Sequence, residues 1–206
     1  MIYFTSDLHL LRTDEHIYKP RGYDDYLSMT EDYITKINSV VKADDVLYIL
    51  GDVLGGDLQK AYELFQQIKC ENIHIVCGNY ETPEALELLK NDIRVKELKD
   101  AIHIKMNGYK FFLSHYPCRT GDFSLKGDPT KRKIWSLCGH THTHDKFKEL
   151  KLGIPAYHVE VDAHDGYPVS TDRIINDIEY FTGNNLPPTI NWENEKIILN
   201  TNCTDD

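Results

Sequence analysis

Short apolar runs alternate with segments of helical spacing in the first half of the chain. Near-continuous apolar runs predict strands buried on both faces at Ile2–Thr5, Val46–Leu50 and 73–77. Apolar residues at helical spacing predict amphipathic helices over about 28–41, 58–68 and 83–89. Thr82 is the expected N-cap of the third helix and Pro83 its first residue. This alternation of strand and helix predicts parallel pairing and an α/β fold.

The second half of the chain changes to a hairpin and isolated short strands. The apolar segments 102–106 and 110–114 flank Asn107-Gly108, a strong hairpin signal. Further strands are predicted at 135–138 and 157–161, which gives a second sheet that is mixed or antiparallel. After about Arg173 we expect a short helix and an irregular polar tail. We predict one domain over 1–206, with its core in about 1–170, in which two sheets lie face to face with helices outside.

Composition and charge narrow the class of protein. The chain has 206 residues, of which 41% are hydrophobic, enough for a soluble globular core without disulfides. Acidic residues outnumber basic ones by 33 to 23, and the net charge of -10 disfavours a nuclease but not a nucleotide-sized substrate. The longest apolar run is far shorter than the roughly 20 residues of a membrane helix. Five cysteines without CxxC spacing and the lack of a basic leader predict a cytoplasmic protein with reduced thiols.

Five predicted strands run directly into side chains that bind metal ions in proteins. The first exits into Asp7-Leu8-His9, and the second strand of the hairpin exits into His115. Three others exit through glycine and then a polar residue, which leaves that side chain in a crevice shared at the strand ends. The candidate ligands are Asp7, His9, Asp52, Asn79, His115, His140 and His142.

The ligand types indicate which ions this site would bind. Carboxylates and imidazoles with one amide oxygen and no thiolate favour Mn, Fe, Zn or Ni, of which we prefer manganese. Seven ligands are too many for one tetrahedral ion. They favour two divalent ions about 3.5–4 Å apart, bridged by a carboxylate and a water. In Asp7-x-His9 and His140-x-His142, alternate residues of an extended segment share a face, so both members of a pair can reach one site.

Taken in order, these motifs resemble those of the calcineurin-like metallophosphoesterase family, over Asp7 to His142. The resemblance implies a four-layer α-β-β-α sandwich with a dinuclear metal centre at the strand ends. It implies that one ion is held by Asp7, His9 and His142, the other by Asn79, His115 and His140, and that Asp52 bridges them. The implied activity is phosphate-ester hydrolysis, in which the bridging water supplies hydroxide for in-line attack.

Tyr80 departs from the family pattern. Most of the family has a histidine directly after the asparagine, where it protonates the leaving oxygen or positions the phosphate. A tyrosine can donate a hydrogen bond but is a weak acid beside imidazolium. We therefore expect phosphodiesters or activated esters to be preferred over alkyl monoesters, with Tyr80 as a candidate catalytic residue or, equally, as a ring packed over the site. Other candidates for the missing acid are His16, His144 and His164.

Other functions fit the same motifs. A phosphomonoesterase or a nucleotide pyrophosphohydrolase would use the same ligands, whereas a metal-binding scaffold has no need of so many charged groups at strand ends. The expected partner is a small phosphate ester or a nucleotide. Two basic clusters flank the motifs: Arg12, Lys19 and Arg21 after the first motif, and Arg119, Lys126, Lys131, Arg132 and Lys133 after His115. We interpret the second cluster as a solvated loop rather than a contact to substrate phosphate. The remaining histidines and cysteines in strands are interpreted as ordinary packing: His74, His103, His158, Cys77 and Cys138.

Overall fold

The computed structural model describes residues 1–120, 134–183, 189–191 and 196–198. The chain divides into two compact units, Met1–Thr171 and Asp172–Asp206. The first unit carries two sheets and most of the helices. The second contains most of helix α5 (Thr171–Thr182) and an antiparallel pair of short strands, β10 (Thr189–Asn191) and β11 (Lys196–Ile198). Among the described residues, no helix combines the length and apolar character needed to cross a bilayer.

The first sheet is mixed and has five strands in the order β4-β3-β2-β1-β9. Its members are β1 (Ile2–Thr5), β2 (Val46–Leu50), β3 (Ile73–Val76), β4 (Val95–Lys99) and β9 (Val169–Ser170). The strands β1 to β4 are parallel, and β9 joins the edge antiparallel to β1. The parallel arrangement brings the carboxyl ends of β1, β2 and β3 to one edge of the sheet.

Four helices connect these strands, and local signals fix where three of them begin. They are α1 (Glu15–Tyr18), α2 (Tyr26–Val40), α3 (Leu58–Phe65) and α4 (Pro83–Asn91). Asp25, Asp57 and Thr82 accept hydrogen bonds from backbone N–H groups in the first turns of α2, α3 and α4. Their apolar faces form one buried core with β2 and β3.

The second sheet is also mixed and has four strands in the order β5-β6-β7-β8. Its members are β5 (Ala101–Met106), β6 (Tyr109–Ser114), β7 (Ile134–Cys138) and β8 (Ala156–His158). The hairpin β5–β6 is antiparallel, and β6, β7 and β8 are parallel. Asn107 and Gly108 have φ of 48° and 86°, as a type I′ turn requires. Two mixed sheets with helices confirm the predicted α/β sandwich.

Several predicted boundaries differ from the structure. Strand β8 ends at His158 rather than at 161, because the chain turns there into a 3-10 helix, Val161–His164. The sequence pattern missed α1, β4 and β9, and the tail that we expected to be irregular contains β10 and β11. Part of the second basic cluster and one cysteine lie outside the described residues: Lys126, Lys131, Arg132, Lys133 and Cys203.

Candidate metal centre

Five of the seven candidate ligands have left-handed backbone conformations directly after their strands. Their φ angles lie between 47° and 73°, at Asp7, His9, Asp52, His140 and His142. A residue with a Cβ atom is strained there by about 1–2 kcal/mol, so such residues are uncommon outside turns and functional sites. We call residues 7–9 the first ligand segment and residues 140–142 the second ligand segment. Strain is thus concentrated on the residues that the sequence predicts to bind metal.

The structure brings Asp7, His9 and His142 together as one group. His142 Nε2 lies 3.4 Å from Asp7 Oδ1 and 3.1 Å from His9 Nε2. His9 Nε2 lies 4.0 Å from the same carboxylate oxygen. Asp7 and His9 are fully buried, whereas the side chain of His142 is 27% exposed. This group can hold one metal ion with two nitrogens and one oxygen.

A second group consists of Asn79, His115 and His140. Asn79 Oδ1 lies 2.8 Å from His115 Nε2 and 3.0 Å from His140 Nδ1. The two histidine nitrogens lie 3.2 Å from each other. Three ligand atoms from β3, β6 and β7 therefore converge on one point, although these strands belong to different sheets.

Asp52 stands between the two groups. Its Oδ2 atom lies 3.6 Å from His9 Nε2 and 3.5 Å from His115 Nε2. Asp7, Asp52 and His115 also offer atoms within 4.8 Å of one another. One carboxylate is thus within reach of ions held by either group, the position that the resemblance assigns to Asp52.

The positions of the protons on the side chains of the second group show whether these residues suit a metal ion. His115 Nδ1 lies 2.9 Å from the carbonyl oxygen of Leu50, and since a carbonyl only accepts, this nitrogen carries the proton. In the neutral ring Nε2 is then a bare acceptor, yet it faces the acceptor Oδ1 of Asn79. A cation between them removes this repulsion. Ligand atoms about 2 Å from one ion lie roughly 3 Å apart, as these atoms do, so the residues fit a divalent metal.

Burial and neighbouring charges set the protonation of the first group. Burial would raise the pKa of Asp7, but its hydrogen bond with His142 and the nearby His115 and His9 hold that pKa well below its usual range. Burial lowers the pKa of His9 to about 3, so its ring is neutral at pH 7. Carboxylate and neutral imidazole are the forms that bind metal. Burial would lower the pKa of His142, but its hydrogen bond with Asp7 raises this pKa above its usual value.

Close packing explains why glycine precedes three of the ligands. A Cβ on Gly139 would lie 1.9 Å from Ser6 Oγ and 2.1 Å from Asp7 Oδ2. One on Gly78 would lie 2.2 Å from Asp52 Oδ1, and one on Gly51 2.5 Å from His115 Nδ1. At each of these positions, the lack of a Cβ atom leaves space for a candidate ligand from a neighbouring strand or for the residue next to that ligand.

Glu160 positions the second ligand segment and was not predicted from the sequence. It is fully buried, and its carboxylate accepts hydrogen bonds from the backbone N–H groups of His142 (3.0 Å) and Thr143 (2.7 Å) and from Thr141 Oγ1 (3.2 Å). His158, which we interpreted as an ordinary strand residue, is instead buried between Glu160 and Glu149. This ring and its two carboxylates form a charged cluster beneath the segment.

Arg21, which belongs to the first basic cluster, supports the first ligand segment. Its side chain is 4% exposed and forms a forked ion pair with Asp162, with distances of 2.9 and 2.7 Å. The same guanidinium donates to the carbonyl oxygen of Asp7 at 3.0 Å. Glu81 acts similarly on the neighbouring loops, because its carboxylate accepts from the backbone N–H groups of Val53 and Gly78.

The candidates for acid catalysis lie in different environments. Tyr80 borders the first group, with its ring edge-on to that of His9 at 5.3 Å between centroids. His144 and His164 each have a ring nitrogen within 2.9 Å of a backbone carbonyl oxygen, so they act locally in the loops around β8. His16 is exposed on α1.

The remaining predicted packing residues differ among themselves. His74 pairs with Glu97 and stacks on Tyr48, and His103 packs beside Phe112. Cys138 is fully buried, as expected, whereas Cys77 is half-buried. In the first basic cluster, Lys19 directly follows α1, is exposed and forms an ion pair with Glu15 of that helix.

Comparisons with known proteins show the family and the fold of this chain. A family model described as calcineurin-like phosphoesterase matches residues 1–197. An uncharacterized protein of Methanocaldococcus jannaschii is 28% identical over 182 residues, which cover 86% of this chain and 91% of that protein. A crystal structure of a protein of unknown function from Aquifex aeolicus has the same fold, with a TM-score of 0.64 and 22% identity over 85% of this chain and 98% of that one. The chain belongs to the calcineurin-like phosphoesterase family.

Proposed function

We propose that this protein is a phosphodiesterase that uses two divalent metal ions, with manganese as the preferred ion. The observation that carries the proposal is the position of Asp52 between two groups of ligands, each of which fits one ion. Asp7, His9 and His142 would hold one ion, Asn79, His115 and His140 the other. The substrate would be a small phosphate ester or a nucleotide.

The bound ions would draw in the phosphoryl oxygens and lower the pKa of a water molecule so that it can attack phosphorus. The residues of the chain contribute orientation and charge. Leu50 holds the tautomer of His115 through its carbonyl, and the backbone N–H of Tyr80 donates to Asp52 Oδ1 at 3.0 Å, which fixes the central carboxylate.

Tyr80 is the reason for preferring a diester. Its phenol stands beside His9 where most of the family has a histidine, and it can donate a hydrogen bond to a leaving oxygen. A positioned acid contributes about 10²–10⁴ in rate, and it matters most when the leaving group is poor. A diester with a good leaving group needs it least.

The test compares hydrolysis of bis-p-nitrophenyl phosphate with that of p-nitrophenyl phosphate in the presence of Mn²⁺. The diester is expected to react faster. Asp52→Asn is expected to lower kcat/KM more than about 100-fold, since loss of an outer partner of a metal ligand already costs 10–100-fold. Asp44→Asn makes the same change at an exposed carboxylate and serves as the matched control.

Three outcomes would contradict parts of the proposal. Faster hydrolysis of the monoester would contradict the diester preference. An active Asp52→Asn variant would contradict the central role of this carboxylate. Two bound metal ions per chain, measured by elemental analysis, without turnover of either ester would favour a metal-binding scaffold.

A further inference from the structure

Arg12 lies beside the candidate metal centre without being a ligand. Its guanidinium carbon Cζ lies 4.1 Å from the centroid of the Tyr80 ring, and that ring is in turn edge-on to His9. The backbone N–H of Arg12 donates to the carbonyl oxygen of His9 at 2.9 Å. The positive charge is therefore one aromatic ring away from the residues that would hold the first ion.

Three contacts fix the Arg12 side chain in this position. Gly55 leaves room for the aliphatic stem, because a Cβ there would lie 3.1 Å from Arg12 Cα, Cβ and Cδ. The guanidinium carbon lies over the Tyr80 ring, and Nε donates to the Asp14 carboxylate. A guanidinium held in this way presents its donors without further loss of side-chain freedom.

The terminal amino groups of Arg12 keep donors for a ligand. Within residues 1–120 and 134–183, Asp14 is the one hydrogen-bond acceptor of this side chain, which is 25% exposed. Two other arginines differ, because they use their terminal groups inside the protein. Arg21 bonds to Asp162 and to a backbone carbonyl, and Arg94 bonds to Asp92 and to the carbonyl oxygens of Gln66 and Ile68.

We propose that Arg12, stacked on Tyr80, binds a phosphate oxygen of the substrate. This inference rests on the phosphoesterase function proposed above and gives a role to one residue of the first basic cluster. The planar guanidinium matches the geometry of phosphate oxygens. Tyr80 then has two separate roles: its ring positions Arg12, and its hydroxyl is the donor proposed above for a leaving oxygen.

Phosphate binding tests this assignment without turnover. Titration calorimetry of the Mn²⁺-loaded protein with inorganic phosphate is expected to show about 10- to 100-fold weaker binding for Arg12→Met, the loss typical of a hydrogen bond between charged groups. Lys19→Met removes an exposed charge of the same segment and is expected to leave the affinity unchanged. Arg12→Lys keeps the aliphatic stem and the charge but lacks the planar set of donors. We expect a folded protein whose affinity for phosphate lies between those of wild type and Arg12→Met.

Two variants of Tyr80 separate its ring from its hydroxyl. Tyr80→Phe keeps the ring and is expected to retain the wild-type affinity for phosphate while kcat falls for a diester with a poor leaving group. Tyr80→Leu removes the ring and is expected to weaken phosphate binding about fivefold, as the loss of a cation–π contact would. Equal weakening in both variants would contradict the positioning role of the ring.

The outcomes distinguish this inference from the proposed function. Equal phosphate affinity of wild type and Arg12→Met overturns the role of Arg12, whether or not the diester is hydrolysed. Weaker binding by Arg12→Met, in a protein that hydrolyses neither ester, overturns the phosphodiesterase and leaves the assignment of Arg12 standing.

Discussion

The two ligand segments have the same spacing and the same left-handed backbone but are held in different ways. In the first segment, the N–H groups of Asp7 and His9 donate to the carbonyl oxygens of Gly51 and Asp52 at 3.1 and 2.9 Å. In the second, carboxylates accept the hydrogen bonds that fix the backbone. Asp7 accepts from the N–H of His140, and Glu160 accepts from the N–H groups of His142 and Thr143. One segment therefore depends on main-chain pairing with a neighbouring loop, and the other depends on buried side-chain carboxylates.

This difference follows from burial. The first segment continues β1 within the parallel sheet, and its ligands are fully buried. The second segment lies at the end of β7, where His140 is exposed. Main-chain hydrogen bonds tolerate many side-chain substitutions, whereas a buried carboxylate leaves several unsatisfied donors when it is removed. The second segment is thus the more vulnerable half of the site.

The largest effect is expected for Glu160→Ala. The change leaves His158 without one of its two carboxylates and the second ligand segment without one of its two carboxylate acceptors, so we expect the free energy of unfolding in urea to be about 3–5 kcal/mol lower than in wild type. Bound Mn²⁺, measured by elemental analysis, should fall with it. Glu87→Ala removes an exposed glutamate of α4 as the control. A stability within about 1 kcal/mol of wild type would show that the segment does not depend on this carboxylate.

A smaller effect is expected for His158→Gln, and it should depend on pH. Burial lowers the pKa of His158, but contacts with Cys138 and the two glutamates overcome this and raise the pKa to about 11. The folded pKa exceeds the unfolded one, so the contribution is fully present below about pH 6.5 and is lost as pH rises through 11. At pH 7 we expect a loss of about 2–3 kcal/mol, since these bonds involve charged groups.

Urea unfolding of wild type and His158→Gln at several pH values measures this effect. The difference between the two proteins should shrink as the pH is raised above 7. The exposed His16→Gln serves as the control, with no pH-dependent difference expected. A difference that is constant from pH 6 to 10 would contradict a charged His158 in the folded state.

The smallest effect is expected for Arg21→Lys, a change in the side chain that supports the first ligand segment. Lysine keeps a charge for Asp162 but cannot also reach the carbonyl of Asp7 with a second donor, so we expect a loss of about 1–2 kcal/mol. Bound metal should remain at the wild-type level, because the main-chain hydrogen bonds still hold the segment. If Arg21→Lys released metal as readily as Glu160→Ala, both segments would depend on side chains and the contrast between them would disappear.

Local sequence patterns were sufficient to predict much of the fold and to predict that the candidate ligands lie close together. Thr82 and Pro83 mark the start of α4, and Asn107-Gly108 marks the hairpin, because each signal acts within a few residues. The candidate ligands could be found because parallel strands end at a common edge and each strand runs directly into its ligand. Their roles as metal ligands remain predictions.

The supporting residues could not be predicted in this way. Tyr157, Val159 and Val161 alternate with polar residues as in a strand, and this pattern predicts an outward-facing side chain for Glu160. Arg21 and its partner Asp162 are 141 positions apart, and nothing near either residue indicates the other. Strand β4 carries mostly charged and half-exposed side chains, and its apolar pattern is too weak to recognise.

The distance along the chain between the two ligand segments has a consequence for biosynthesis. His140 and Asp7, which are hydrogen-bonded, are separated by 133 positions. Chains emerge from the ribosome amino terminus first, and contacts between distant residues form only after the intervening chain is available. A nascent chain that has released the whole parallel sheet β1–β4 still lacks three of the four candidate histidine ligands. The candidate metal centre is therefore assembled late in synthesis, after residue 142 has left the ribosome.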